Sequence, residues 1–115
     1  MQVNVIEGDM LIGAAAIEHL DPPMGVAFGP FSPTLVYASA SHANVIEGEY
    51  VGDKGLILAA TADPHGALNA SIAIEDYGDL GRQLTLFFRD GETFAALFAT
   101  HPDYIAYYPH LANGS

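Results

Sequence analysis

The chain has 115 residues, with 14 acidic side chains against 3 basic ones, a formal net charge of -11 and no cysteine. One compact domain spanning residues 1–115 is the expectation at this length, since domains commonly hold about 100–150 residues. The absence of cysteine excludes a disulfide framework, thiolate metal sites and thiol catalysis. Nonspecific nucleic-acid binding depends on lysine and arginine displacing the counterions of phosphate, so three basic residues predict no nucleic-acid partner.

A membrane partner is not expected either. The longest apolar run covers residues 10–17 and contains a glycine, whereas a membrane-spanning helix needs about 20 apolar residues. Anionic membrane surfaces are disfavoured by the same charge. No positively charged stretch precedes an apolar segment at the N-terminus, so no secretory signal is expected. These observations predict a cytoplasmic protein.

The first predicted element is a β-hairpin. Val3 and Val5 alternate with Asn4 and Ile6 before Gly8-Asp9, and residues 10–12 are apolar. Glycine as the first residue of a two-residue loop favours a type II′ turn. Residues 4–9 recur at 44–49 with five identities, and Gly48-Glu49 predicts a similar turn there. The recurrence indicates either an internal duplication of residues 3–40 and 43–80 or a recurring turn sequence.

Residues 20–33 form a compositionally distinct segment that holds four of the seven prolines. Proline cannot donate to a β-ladder, so the segment is predicted to be an edge strand with turns on both sides. It is either a functional surface, with Met24 and Phe28 as candidate binding residues, or a rigid wrap over the sheet. A short helix is predicted to start at Ser32, with Pro33 in its first turn, and to run towards His42.

The second half of the chain carries the clearest strand patterns. Residues 56–61 predict a buried strand. Over residues 68–75 every second position is apolar, and the positions between them hold Asn69, Ser71, Ala73 and Glu75, which is typical of a strand with one buried face. Residues 84–88 predict a further strand. The sequence therefore predicts a β-rich α+β fold, with a small antiparallel sheet or partly open barrel and one or two short helices.

Residues 90–100 allow two structures. Asp90-Gly91 between apolar runs favours a hairpin that would place Arg89 opposite Glu92. Alternatively, Asp90 caps a helix whose inward positions include Phe94 and Phe98. We favour the hairpin, followed by a short helix over residues 102–108 with proline in its first turn.

Three histidines lie two residues from an aspartate. Imidazole and carboxylate groups together bind metals of the zinc or iron type, so two such pairs brought together would supply four ligands. Aspartate beside proline or histidine is also typical of ordinary turns, which we consider the better interpretation. The candidate metal ligands are His19, Asp21, Asp63, His65, His101 and Asp103.

Aromatic residues dominate the end of the chain. Tyr104, Tyr107 and Tyr108 combine apolar rings with polar tips, a property that enriches tyrosine at interfaces. Arg89 is predicted to anchor a partner beside these tyrosines. The alternative is a C-terminal helix packed on the core.

The function that these features favour is a noncatalytic, cytoplasmic binding module without a cofactor. Its acidic face would meet a basic protein partner, as in an immunity-type or inhibitor protein. The alternative is a small metal- or ligand-binding enzyme that uses the histidine–aspartate pairs in a cleft. A homodimer is also predicted, because only 15% of the residues are charged, against about a quarter in an ordinary soluble domain.

Overall fold

The computed structural model describes residues 1–52, 58–62 and 65–109. These residues form ten strands, three short α-helices and two 3-10 helices. The strands are β1 Gln2–Glu7, β2 Met10–Ala16, β3 His19–Asp21, β4 Val26–Pro33, β5 Val45–Ile46, β6 Glu49–Tyr50, β7 Leu58–Ala62, β8 Gly66–Ala67, β9 Ala70–Asp76 and β10 Arg82–Phe88. The α-helices are α1 Ser39–His42, α2 Gly91–Phe98 and α3 Pro102–Tyr107, and the 3-10 helices are Pro22–Met24 and Gly78–Leu80.

The strands form one curled, open half-barrel sheet. Their order is β6-β5-β9-β10-β4-β2-β1-β7-β8, and β3 pairs with β4. All described pairs are antiparallel except β5 with β9. The curl brings β7 close to β9 although they are far apart in the strand order. The predicted β-rich α+β fold is confirmed, with three α-helices in place of the one or two expected.

β4 lies inside the sheet, so the prediction of an edge strand for residues 20–33 was wrong. One side of β4 pairs with β10, and the other side pairs first with β3 and then with β2. Pro30 lies where the pairing partner on that side of β4 changes from β3 to β2, so no strand needs the N–H that proline lacks. At the same point a Cβ on Gly29 would overlap the carbonyl oxygen of Ala16. Glycine is needed there because two backbones approach closely.

The predicted hairpin at Gly8-Asp9 is confirmed, with Glu7 paired to Met10 across the two-residue loop. Gly8 has a φ of 63°, as the first residue of a type II′ turn requires. The second turn lies one residue earlier than predicted, because Glu47 and Gly48 both have positive φ and connect β5 to β6 as in a type I′ turn. The proposed duplication stays a prediction.

Within residues 90–100 the chain forms helix α2, Gly91–Phe98, so the favoured hairpin was wrong. Asp90 Oδ1 accepts a hydrogen bond from the Thr93 N–H at 2.7 Å, and Asp90 Oδ2 accepts one from Thr93 Oγ1 at 2.9 Å. These bonds satisfy an N–H that the first turn of a helix otherwise leaves unpaired. Arg89 is consequently not opposite Glu92 but donates to Asn69 Oδ1 and Ser71 Oγ. The predicted helix after Pro102 is confirmed as α3.

The helix predicted from Ser32 is also corrected, since β4 continues through Pro33 and α1 is a single turn. β4 keeps its ladder with β2 over residues 31–33, and this pairing replaces the local helix. The strand predicted over residues 56–61 is found as β7, with residues 56 and 57 outside the described part of the chain. The strands predicted at 68–75 and 84–88 are β9 and β10.

The core lies on the concave face of the sheet. Its largest fully buried side chains come from four strands: Val3, Val5, Ile12, Ile74, Leu84 and Leu86. Helices α2 and α3 close one end through Phe94, Phe98 and Tyr104, and Phe88 of β10 packs edge-on against Phe94 at 5.6 Å between ring centroids. This aromatic cluster fixes both helices beside the 3-10 helix Pro22–Met24, and it positions the candidate site.

Candidate functional site

Two adjoining depressions lie where α2 and α3 meet the sheet. The first, here called the aromatic groove, has a volume of about 460 Å³, and its side-chain walls include Met24, Phe88, Arg89, Phe94, Tyr104 and Tyr108. The second, here called the acidic pocket, has a volume of about 470 Å³ and lies between β3 and α3, lined by Leu20, Asp21, Pro22, Phe28, Asp103, Ala106 and Tyr107. Pro22 belongs to both linings, so the two depressions share a wall.

The structure brings the six binding residues predicted from the sequence to this one region. Met24, Arg89, Tyr104 and Tyr108 line the aromatic groove. Phe28 and Tyr107 line the acidic pocket. Their role in binding stays a prediction, but these residues, from three separate stretches of the chain, line two depressions that share a wall.

The shared wall is held rigidly by its own sequence. Proline residues open the 3-10 helix Pro22–Met24, and Gly25 ends it in the left-handed conformation with its N–H donating to the Pro22 carbonyl. The Gly25 carbonyl then accepts a hydrogen bond from the Phe88 N–H at 3.0 Å, which ties the wall to β10. As a result, the Met24 side chain is 71% exposed at the rim of the groove.

The charged groups of the aromatic groove are already paired. Arg89 donates to Asn69 Oδ1 at 3.1 Å, just before strand β9, and to Ser71 Oγ at 3.2 Å, within that strand. The hydrogen bonds from the backbone and side chain of Thr93 lower the pKa of Asp90 below its ordinary value. The apolar and aromatic walls are therefore the part of the groove that a ligand would contact first.

The acidic pocket holds two carboxylates that differ in their hydrogen bonding. Asp103 Oδ2 accepts the Leu20 N–H at 3.0 Å, so this carboxylate is fixed against β3, and it lies 3.7 Å from His19 Nδ1. Asp21 stands immediately before the 3-10 helix Pro22–Met24 but makes no capping hydrogen bond with its side chain. Phe28 and the half-exposed Tyr107 supply aromatic surface beside the two carboxylates. Carboxylates and aromatic faces together attract cations.

The candidate metal ligands do not gather at one place. His101 Nδ1 accepts the Asp103 N–H at 3.0 Å and so acts as the N-cap of α3. His19 and Asp103 are neighbours, whereas His65 is exposed next to β8, at the far edge of the sheet. Asp63 lies outside the described residues. Within the described ranges no three histidine or acidic side chains form a group able to hold a metal ion.

A buried polar network, not expected from the sequence, lies elsewhere on the concave face. Asp76, only 3% exposed, accepts hydrogen bonds from Tyr37 Oη at 2.7 Å, Arg82 Nε at 3.0 Å and the Gly78 N–H at 2.8 Å. Burial, followed by the hydrogen bond to Asp76, raises the pKa of Tyr37 well above its ordinary value. The Arg82 guanidinium also lies over the Tyr37 ring at 5.5 Å.

His42 extends this network towards β1. Its Nδ1 accepts the Ala38 N–H at 3.0 Å, which leaves the proton on Nε2 facing Glu7 Oε1 at 3.3 Å. The imidazole also stacks on Tyr37, with 5.6 Å between ring centroids. Every buried side-chain nitrogen and oxygen in the described residues has a hydrogen-bond partner. We therefore interpret this network as part of the structure of the core.

Comparison with known proteins adds no relative: no family model matches the chain, and no curated protein or solved structure matches it significantly. Among the described helices, none is long and apolar enough to cross a membrane.

Proposed function

We propose that this protein is a noncatalytic binding module that holds a basic protein partner, in the manner of an immunity or inhibitor protein. The observation that carries the proposal is the acidic pocket, in which Asp21 and Asp103 share one depression with Phe28 and Tyr107. No lysine or arginine lines it among the described residues. A concave surface with carboxylates and rings complements a cationic segment.

The charge of the whole chain supports the same partner. A net charge of -11 attracts basic proteins over a distance and speeds their association. We propose a cytoplasmic setting, because a chain without cysteine does not depend on an oxidising compartment. The alternative enzyme would need the histidine–aspartate pairs in one cleft, and the separation of His65 from His19 and His101 gives it no support.

The proposal is tested with fluorescent peptides of equal length that carry either four lysine and arginine residues or four acidic residues. We expect the basic peptides to bind the full chain and the acidic peptides not to bind. Affinity for the basic peptides should fall at least about tenfold between 0.05 and 0.3 M salt, because added salt shortens the distance over which exposed charges attract each other.

Tyr107→Ser should weaken binding, since Tyr107 lines the pocket. Tyr50→Ser is the matched control, because Tyr50 is also an exposed tyrosine but lies on β6 at the edge of the sheet. Salt-insensitive binding, or equal affinity for the two kinds of peptide, would overturn the proposal.

A further inference from the structure

We infer that the acidic pocket receives an arginine side chain of the partner, while the aromatic groove takes the apolar side chain next to that arginine. This inference rests on the proposed function and specifies the part of the partner that is recognised. It follows from the two carboxylates, the two rings and the wall that the depressions share.

The two carboxylates suit a guanidinium group because one is fixed and the other is uncommitted. The bond from the Leu20 N–H holds Asp103 in place without the need for a ligand. Aspartate before a helical turn ordinarily accepts a backbone N–H, yet the Asp21 side chain makes no such bond. Asp21 also forms no ion pair within the described part of the chain. Its carboxylate can therefore meet a cation without first breaking an internal contact.

The rings favour arginine over lysine. Phe28 and Tyr107 belong to different elements, β4 and α3, and both line the pocket. A planar guanidinium stacks on an aromatic face and still presents N–H donors to carboxylates in its plane, whereas an ammonium is a strongly hydrated point charge. His19 lies beside the pocket, with its Nδ1 3.7 Å from Asp103 Oδ2 and its ring centroid 5.5 Å from that of Phe28, and it is charged only when protonated. A partner arginine therefore has no permanent internal competitor in the described pocket.

The position of the aromatic groove defines the neighbour of that arginine. Pro22 belongs to the walls of both the groove and the pocket, and the Cα atoms of adjacent residues in a peptide lie only about 3.8 Å apart. A residue beside the arginine therefore reaches the groove, whose walls include Met24, Phe88 and Tyr104. Such walls favour leucine or another apolar side chain. The recognised feature is an arginine adjacent to an apolar residue.

The test uses three capped dipeptides that differ at one side chain: acetyl-arginyl-leucinamide, acetyl-lysyl-leucinamide and acetyl-citrullyl-leucinamide. Citrulline keeps the shape of arginine and removes its charge. Each is titrated into the full chain, and amide NMR shifts are recorded. We expect the arginine peptide to shift Leu20, Phe28 and the amides of α3, to bind at least about threefold more tightly than the lysine peptide, and to bind more tightly still than the citrulline peptide. Equal affinities for the arginine and citrulline peptides would overturn the inference.

Two variants with the same change of net charge separate the pocket from the general charge of the chain. Asp21→Asn should weaken the arginine peptide about threefold or more. Asp79→Asn should leave it unchanged, since Asp79 is exposed beyond the Arg82 end of β10 and the pocket adjoins the opposite end. At 0.15 M salt charges are screened over about 8 Å. Equal losses in the two variants would overturn the inference.

The outcomes also distinguish this inference from the proposed function. Salt-dependent binding of the longer basic peptides, with shifts away from Phe28 and α3, would overturn the arginine pocket and leave the binding module in place. Absence of binding by every basic probe at low salt would overturn both.

Discussion

Asp76 ends β9 on the buried face of that strand, and three donors converge on its carboxylate. Burial by itself raises the pKa of this group, but the hydrogen bonds from Tyr37, Gly78 and Arg82 together hold it below its ordinary value. A carboxyl group with a lowered pKa in the folded state stabilises the protein above its unfolded pKa of about 3.9. That contribution is lost as the pH falls through the folded pKa.

Replacing this carboxylate should therefore change both stability and its pH dependence. We expect Asp76→Asn to lower the free energy of unfolding at pH 7 by about 2 kcal/mol, because hydrogen bonds to a charged acceptor are lost in a buried site. Urea unfolding between about pH 2 and pH 7 should show a shallower loss of stability in acid for the variant than for the parent. Asp79→Asn, at an exposed position, should keep the slope of the parent. Equal slopes for the parent and Asp76→Asn would contradict this account.

The sequence holds a signal for part of this unexpected network and none for the rest. The alternation over residues 68–75 continues to Asp76, which puts a carboxylate on the apolar face of the clearest strand. Arg82 likewise shares a strand face with Leu84 and Leu86. The partners Tyr37 and Glu7 come from distant parts of the chain, and local periodicity carries no information about which distant residue faces a buried charge.

At the level of single elements, α2 shows how one dipeptide fits two structures. Asp-Gly suits a type I′ hairpin, but aspartate is also a preferred N-cap. Gly91 begins α2 and its φ is not in the left-handed region. A Cβ there would meet no heavy atom within 4 Å. Glycine is therefore not required at this position, in contrast to a hairpin turn.

Two substitutions measure this difference. Gly91→Ala should leave the free energy of unfolding unchanged or raise it by up to about 1 kcal/mol, because alanine restricts the unfolded chain. Asp90→Ala should lower it by about 1 kcal/mol through loss of the cap. Both are measured by urea unfolding followed by circular dichroism at helix wavelengths. A loss of more than about 1 kcal/mol in Gly91→Ala would restore the requirement for positive φ that a hairpin imposes.

β4 was misjudged for a related reason. Its prolines predict an edge strand, yet Pro30 lies where the pairing partner of β4 changes from β3 to β2. The local sequence shows that residue 30 has no N–H to donate, but only the strand pairing shows that no neighbouring strand needs this donor. The composition predicts the six candidate binding residues, whereas the sequence assigns the carboxylates beside them to metal sites or ordinary turns. Their shared pocket depends on α3 packing against β3.

Over the whole molecule, exposed apolar side chains bear on self-association. Thr34 Oγ1 donates to the Leu11 carbonyl at 2.7 Å, which holds the following loop beside the first hairpin. Leu35 is fully exposed there, and Val36, Met10 and Leu11 are roughly half exposed. Exposed apolar side chains on two adjoining segments are typical of interfaces. The dimer predicted from the composition is thus expected to form through this patch.

Sedimentation velocity can test the dimer. We expect a dimer at micromolar concentration in 0.15 M salt that weakens at low salt, because two chains of charge -11 repel each other when screening is reduced. Leu35→Ser should give a monomer. Leu80→Ser is the control, since Leu80 is similarly exposed in the second 3-10 helix. A parent chain that remains monomeric up to about 100 μM would refute the prediction.

The strand order has a consequence for a chain cut between Gly52 and Leu58. The first fragment supplies β6 and β5 at one edge of the sheet and β4, β2 and β1 further along. The second fragment supplies β9 and β10, which lie between β5 and β4, and β7 and β8, which follow β1. Strands of the two fragments therefore alternate in the sheet. The first fragment alone exposes unpaired edges at β1 and β4, and the second alone exposes them at β7 and β10. Neither should give dispersed amide NMR spectra by itself, whereas an equimolar mixture should recover the spectrum of the intact chain. Fused to two test proteins, the fragments would then report the encounter of those proteins by folding together.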